Sequence, residues 1–132
     1  KNRQVTAITD VTGFGLMGHL YEMMKASNTA AKVHMSKLPL LGGFQEYLEK
    51  GCAPGGSDKN FKSFSKHATF EEACDPKIVT DPQTSGGLLI AIDNEYTSEL
   101  EEILLQSNCV CSSEIGEVVT VESPAIRLYF QK

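Results

Sequence analysis

Apolar and polar residues follow one another in this chain with the periods of strands and helices. The apolar residues 5–8 predict a first strand that ends at Asp10. Over residues 15–27 apolar side chains recur every three or four positions, which predicts an amphipathic helix with one buried face. Alternation over residues 31–35 predicts a second strand. The first part of the chain is therefore expected to fold as strand, turn, helix and strand.

The middle of the chain is less regular. Residues 44–49 predict a short helix with Gly51 as its C-terminal cap. Residues 53–69 contain proline, glycines and mixed basic and aromatic side chains, and they predict a loop packed onto the body of the domain. A short helix is predicted within residues 71–78. It is expected to end at the pair 75–76, because proline restricts the conformation of the residue before it.

Apolar residues 88–92 form a run without alternation, which predicts a strand buried on both faces. The next segment, residues 95–106, predicts an amphipathic helix with its glutamates on a solvated face. Its inward side chains are expected to be Leu100, Ile103 and Leu104.

Two segments near the end, residues 115–121 and 126–130, predict a closing antiparallel pair of strands. Strands that alternate with helices, followed by locally paired strands, predict an α+β fold with helices packed on a mixed sheet. The 132 residues fit a single domain, residues 1–132. The chain opens on Lys1 and almost directly on a strand, as a domain of a larger protein would.

Composition and charge narrow the classes of function. A net charge of -5 argues against nucleic acid as a partner, because nucleic-acid binding usually needs a basic face. No apolar run approaches membrane-spanning length, so no membrane partner is expected. The four cysteines lack the spacing of a zinc site and predict free thiols in a reducing compartment, hence a cytoplasmic protein.

Residues 9–19, TDVTGFGLMGH, form the stretch with the most distinctive chemistry. One carboxylate, Asp10, is followed by glycines at the predicted start of a helix. Free N–H groups at a helix start suit an anion, and a carboxylate beside them suits a phosphate with its Mg2+. The same residues also fit an ordinary connection in which Asp10 and Thr12 cap the helix. His19 fits a phosphate contact or acid catalysis, but its position favours a local hydrogen bond.

Residues 81–89, DPQTSGGLL, form a second distinctive stretch. The pair 81–82 is a turn signal, and residues 85–87 form a flexible tip before the next strand. This tip and the preceding threonine fit a loop that offers hydroxyls and backbone N–H groups to an active cleft. They equally fit a tight turn that needs glycine for its backbone angles.

Together, in this order and at this spacing, the two motifs resemble the carboxy-terminal domain of selenophosphate synthetase (selenide, water dikinase). The resemblance covers nearly the whole chain. Phe14, the pair Gly18-His19 and the segment 54–60 favour the selenium enzyme over related ATP-binding synthetases of purine biosynthesis. The resemblance implies a three-layer α+β fold like the carboxy-terminal domain of aminoimidazole ribonucleotide synthetase.

The resemblance also implies a function. The family makes selenophosphate from ATP, selenide and water, releases AMP and phosphate, and requires Mg2+. Asp10 corresponds to the metal-binding aspartate of this domain. The nucleotide and phosphate cleft would be formed by Thr9, Thr12, Gly13, Thr84, Ser85, Gly86 and Gly87.

The remaining metal-binding aspartates, the catalytic lysine and the reactive cysteine or selenocysteine belong to the amino-terminal half of the family's proteins. No catalytic residue is therefore expected in this chain, and the chain by itself is expected to be inactive. The full-length protein is expected to be a homodimer built chiefly through the other domain. Two alternatives stay open: another ATP-dependent synthetase of the same superfamily, and a non-catalytic binding module with this fold.

Overall fold

The computed structural model describes residues 5–72, 74–109, 111–121 and 128–132. The strands in these ranges are β1 (Val5–Asp10), β2 (Ala30–His34), β3 (Ala68–Phe70), β4 (Leu88–Ile92), β5 (Gly116–Val119) and β6 (Leu128–Gln131). The helices are α1 (Gly15–Ser27), α2 (Phe44–Glu49), α3 (Gly55–Phe64), α4 (Lys77–Thr80) and α5 (Thr97–Gln106). Short 3-10 turns occupy Met35–Lys37, Ser65–His67 and Asn94–Tyr96.

The described strands form two sheets. β1 and β4 pair antiparallel, with Asp10 opposite Leu88 and Ile8 opposite Ile90. The other four strands lie in the order β3-β6-β2-β5, where β2 is parallel to β6 and antiparallel to β5. A mixed sheet combined with helices confirms the predicted α+β class.

The predicted antiparallel pairing of the two closing strands is wrong. Both strands exist, but each pairs with β2, so that Ala31 lies opposite Val118 on one side and Leu128 on the other. Ala31 and Val33 are buried, which makes β2 a central strand whose backbone groups need partners on both edges. Burial of this strand therefore outweighs pairing between sequence neighbours. The turn predicted at residues 123–124 lies outside the described residues.

Helix α1 packs against both sheets and supplies much of the core. Its buried side chains include Met17, Leu20 and Met24, at the spacing expected for one helical face. They contact Leu128 and Phe130 of the four-stranded sheet, and half-buried side chains of β1 and β4 pack against the same cluster. Burying an aliphatic or aromatic side chain of this size contributes about 1.5–3 kcal/mol. The core therefore fixes where α1 begins, and with it the turn that follows β1.

Residues 53–69 do not form the predicted loop throughout, because α3 occupies much of this range. The buried residues of α3 are Ser57 and Asn60, so the face that packs carries no hydrophobic period that the sequence could reveal. Pro54 precedes the helix, where its missing N–H costs nothing. The expected packing of aromatic side chains onto the body is confirmed for Phe64, which contacts rings on α1 and at its start.

Two further helix predictions need correction. The helix predicted over residues 71–78 is α4, which begins after Pro76 instead of ending before it, because proline also suits the first turn of a helix. In α5, Leu100 and Leu104 are half-buried, but Ile103 is 51% exposed since no described element covers its side of the helix.

None of the described helices is long and apolar enough to cross a membrane.

Strand β4 is not buried on both faces. Leu89 and Ala91 pack against the core, whereas Leu88 is 65% exposed. Ile8, on the neighbouring strand, is 56% exposed on the same face as Leu88. The reason is that β1 and β4 form a two-stranded ribbon, of which the described residues cover one face.

Candidate functional site

The two sequence motifs meet at the end of β1. The N–H of Val11 donates to the carbonyl oxygen of Gly87 at 2.9 Å, and the N–H of Gly86 donates to the carbonyl oxygen of Val11 at 3.2 Å. The N–H of Gln83 donates to the carbonyl oxygen of Thr12 at 3.1 Å. These hydrogen bonds continue the β1–β4 pairing beyond the last strand residues. The structure therefore joins both motifs at one rim of the ribbon.

Glycines make this close approach possible. A Cβ at Gly86 would lie 2.6 Å from the carbonyl oxygen of Val11. A Cβ at Gly15 would lie 2.8 Å from the carbonyl oxygen of Val79, and Gly15 has a φ of +67°. Gly87 has a φ of +82°, a conformation that favours glycine. The second motif is thus a tight turn that needs its glycines, and this does not conflict with a role in binding.

Asp10 stands at the rim with an exposed side chain. Strand alternation places it on the same face as Ile8, beside its paired residue Leu88. In the part of the chain that the structure describes, its carboxylate has no ion pair and no hydrogen-bond partner. Strand β1 therefore presents one exposed carboxylate, without an ion pair to any described residue, next to the tip at residues 85–87.

The capping alternative for the first motif does not describe this structure. The residue before α1 is Phe14, and no side chain caps the helix start. The Thr12 hydroxyl oxygen instead lies 3.0 Å from Nε2 of His19, which confirms the local hydrogen bond predicted for this histidine. Nδ1 of His19 lies 3.5 Å from a carboxylate oxygen of Glu22. In the tautomer whose proton is on Nδ1, facing this carboxylate, Nε2 accepts a hydrogen bond from the Thr12 hydroxyl.

The turn between β1 and α1 presents unpaired backbone donors. The N–H groups of Thr12, Gly13 and Phe14 have no acceptor among the described residues. The first turn of α1 contains no acidic residue, so the partial positive charge of the helix start is not compensated by its own side chains. Gly13 and Phe14 are exposed. This turn therefore has the properties of an anion-binding site.

The other predicted residues lie near this turn with different orientations. Thr84 and Ser85 are exposed at the tip of the second motif, where their hydroxyls are open to a ligand. Thr9 is half-buried, and strand alternation directs its side chain to the opposite face of β1 from Asp10. The structure therefore groups the predicted residues at one rim, with Thr9 as the member that faces the core side.

Asn60 is a residue at this site to which the sequence assigned no role. It is 8% exposed, and its side-chain nitrogen donates to the carbonyl oxygens of Gly13 and Thr80, each at 2.9 Å. Asn60 lies three residues after the buried Ser57 on the inward face of α3, but two polar residues at this spacing do not distinguish a buried face from an exposed one in the sequence. Helix α3 thus contacts the backbone of the first motif and the residue preceding the second.

The family described as AIR synthase related protein, C-terminal domain, matches residues 1–128. The chain belongs to this family. Selenide, water dikinase of Colwellia psychrerythraea is 42% identical over 124 residues, which cover 94% of this chain and 36% of that protein. The protein of the same name from Pasteurella multocida is 46% identical over 99 residues, covering 75% of this chain and 28% of that protein. The protein of the same name from Yersinia pestis is 40% identical over 119 residues, covering 90% of this chain and 34% of that protein.

These relatives confirm the resemblance that the two motifs carried. Within the AIR synthase related family, proteins named selenide, water dikinase match most of this chain. The chain spans about a third of the length of the curated relatives it matches.

Proposed function

We propose that this chain is the carboxy-terminal domain of a selenide, water dikinase, which makes selenophosphate from ATP, selenide and water and releases AMP and phosphate. Relatives of that name at 40–46% identity support the assignment. The observation that carries it is the carboxylate of Asp10, unpaired within the described ranges, beside a turn whose backbone N–H groups have no acceptor there. The proposal includes a cytoplasmic homodimer in which an amino-terminal domain supplies the remaining catalytic groups.

Asp10 is the residue of this chain that would hold Mg2+. Mg2+ is bound in such sites through one or two carboxylates together with phosphate oxygens and water. A single exposed carboxylate with no competing partner in the described part of the chain fits that pattern. Among the described residues no group of three or more His, Cys, Asp or Glu side chains could hold a metal by itself. The other ligands are therefore expected from the phosphates of ATP and from the amino-terminal domain.

The rest of the rim positions phosphate groups. Phosphoryl transfer depends chiefly on holding the phosphates in place and neutralising their charge, and bound Mg2+ supplies part of that neutralisation. The free N–H groups of Gly13 and Phe14 and the hydroxyls of Thr84 and Ser85 donate hydrogen bonds to phosphate oxygens. Thr12 is held by His19 at the edge of the same turn. Thr9 supports the strand that carries Asp10.

Replacing Asp10 in the full-length protein tests this function. In Asp10→Asn we expect the Mg2+ concentration needed for half-maximal AMP formation from ATP and selenide to rise at least about 10-fold. Replacing even a residue that only orients a metal ligand commonly weakens metal binding 10- to 100-fold. The fold should be unchanged, since the side chain is exposed and unpaired. The matched control is Asp93→Asn, an exposed aspartate after the other end of β4.

An unchanged Mg2+ requirement in Asp10→Asn would remove this residue from the metal site. Asp93→Asn should behave like the wild type in the same titration. The chain by itself should form no AMP, because no nucleophile or catalytic lysine is assigned to it. Selenide-dependent AMP formation by this polypeptide alone would contradict the proposed division of the active site.

A further inference from the structure

Asn60 ties the backbone of the first motif to the residue that precedes the second. A carboxamide nitrogen carries two hydrogens, and in Asn60 one is donated to Gly13 and the other to Thr80. The two acceptors lie 47 and 20 residues from Asn60 in the sequence. The side chain is nearly buried, so water does not compete freely for either hydrogen bond.

The bond to Gly13 fixes the direction of a neighbouring donor. The described peptide bonds are trans, so the N–H of Phe14 points opposite to the carbonyl of Gly13 in the peptide unit they share. Asn60 holds that carbonyl toward α3, and the N–H of Phe14 is therefore directed away from α3. This N–H is one of the three unpaired donors of the turn.

Neighbouring backbone hydrogen bonds hold the residue before Gly13, since the carbonyl oxygen of Thr12 accepts from the N–H of Gly15 at 3.0 Å and from the N–H of Gln83 at 3.1 Å. A Cβ at Gly13 would have no atom within 4 Å, so the residue borders open space. Glycine backbone also samples more conformations than any other residue. Among the described residues, the Asn60 amide is the side chain that holds the Gly13 carbonyl itself.

We propose that Asn60 is a positioning residue for nucleotide binding. It orients the 13–14 peptide so that the N–H of Phe14 donates to a phosphate oxygen, and it holds the second motif at a fixed distance from this turn. Asn60 itself does not touch the ligand. The inference rests on the function proposed above and adds the group that prepares the phosphate site.

The isosteric variant Asn60→Asp tests this role in the full-length protein. It replaces two donors by an oxygen that faces two carbonyl oxygens, without changing the size of the side chain. We expect KM for ATP to rise about 10- to 100-fold, the factor for one hydrogen bond to a charged group. The matched control is Asn94→Asp, an exposed asparagine at the far end of β4, which should leave KM unchanged.

A second readout reports on the donor directly. With selective 15N-phenylalanine labelling, the Phe14 amide resonance of the wild type should shift when Mg2+ and ADP are added, and Asn60→Asp should lose that shift. A merely structural role would lower the unfolding temperature of Asn60→Asp but leave both KM and the shift intact below it. An unshifted Phe14 amide in the wild type would overturn the inference even where Asn60→Asp fails to fold.

Two results would overturn the inference alone: an unshifted Phe14 amide in a wild type that forms AMP, or a folded Asn60→Asp with wild-type KM. Failure of the proposed function is distinguishable, because it would appear in the wild type as absence of selenide-dependent AMP formation. That result would overturn the inference as well.

Discussion

Replacing Gly15 by alanine tests how tightly α1 is joined to the second motif. The φ of +67° costs a residue with a Cβ about 1–2 kcal/mol. The new Cβ would also lie 2.8–2.9 Å from backbone atoms of Val79, Thr80 and Asp81, which cannot rotate away. Overpacking of this kind costs about 1–3 kcal/mol. The free energy of unfolding should therefore fall by about 2–5 kcal/mol, or on the order of 10 °C in Tm.

Gly13→Ala is the matched control, two residues earlier in the same turn. Gly13 has no positive φ, and a Cβ there would meet nothing within 4 Å. Its free energy of unfolding should change by less than about 0.5 kcal/mol. Urea unfolding followed by circular dichroism compares the two variants. If Gly15→Ala were as stable as Gly13→Ala, the close approach described for this junction would be refuted.

Two other predictions concern the core and the thiols. Phe130 is 1% exposed, and Phe130→Ala should lower the free energy of unfolding by about 3–5 kcal/mol. A decrease of less than about 1 kcal/mol in urea unfolding would be inconsistent with this burial. Burial, and secondarily the charge of Glu71, raises the pKa of the Cys74 thiol. Cys74 should therefore form its reactive thiolate only at higher pH and be alkylated by iodoacetamide after the three exposed cysteines, as peptide mass spectrometry can show. Faster labelling of Cys74 would be evidence against this.

Local patterns predicted the elements whose packing follows their own sequence. β1, α1 and α2 could be predicted because each has a clear period or a clear stop signal, such as the asparagine at residue 28 and Gly51, both in left-handed conformations. The helix α3 could not, since its inward face consists of Ser57 and Asn60. Burial of polar residues depends on which partners the fold brings near them, and sequence periodicity does not contain that information.

The sequence also failed to predict which strands pair and which apolar side chains are exposed. Whether β5 pairs with β6 or with β2 is decided by burial of a strand far away in the sequence, and whether Leu88 is covered depends on the number of layers around the ribbon. At the site, the resemblance placed both motifs in one cleft, and the structure puts them at one rim. It included Asn60 in the segment 54–60 but gave this residue no role, because only the packing of α3 brings the amide within reach of Gly13.

The strand order has a consequence for synthesis of the protein. β6 occupies an interior position between β3 and β2, although it is the last of the described strands along the chain. His34 on β2 hydrogen-bonds to Gln131 on β6, which is synthesised 97 residues later. At ordinary elongation rates the ribosome needs roughly 5–20 s to add these residues. Until β6 is synthesised, the buried side of α1 lacks Leu128 and Phe130, which pack against it in the folded domain. Part of the apolar face of α1 therefore stays uncovered until the last described strand is made, and exposed apolar surface of this kind favours aggregation of the nascent chain.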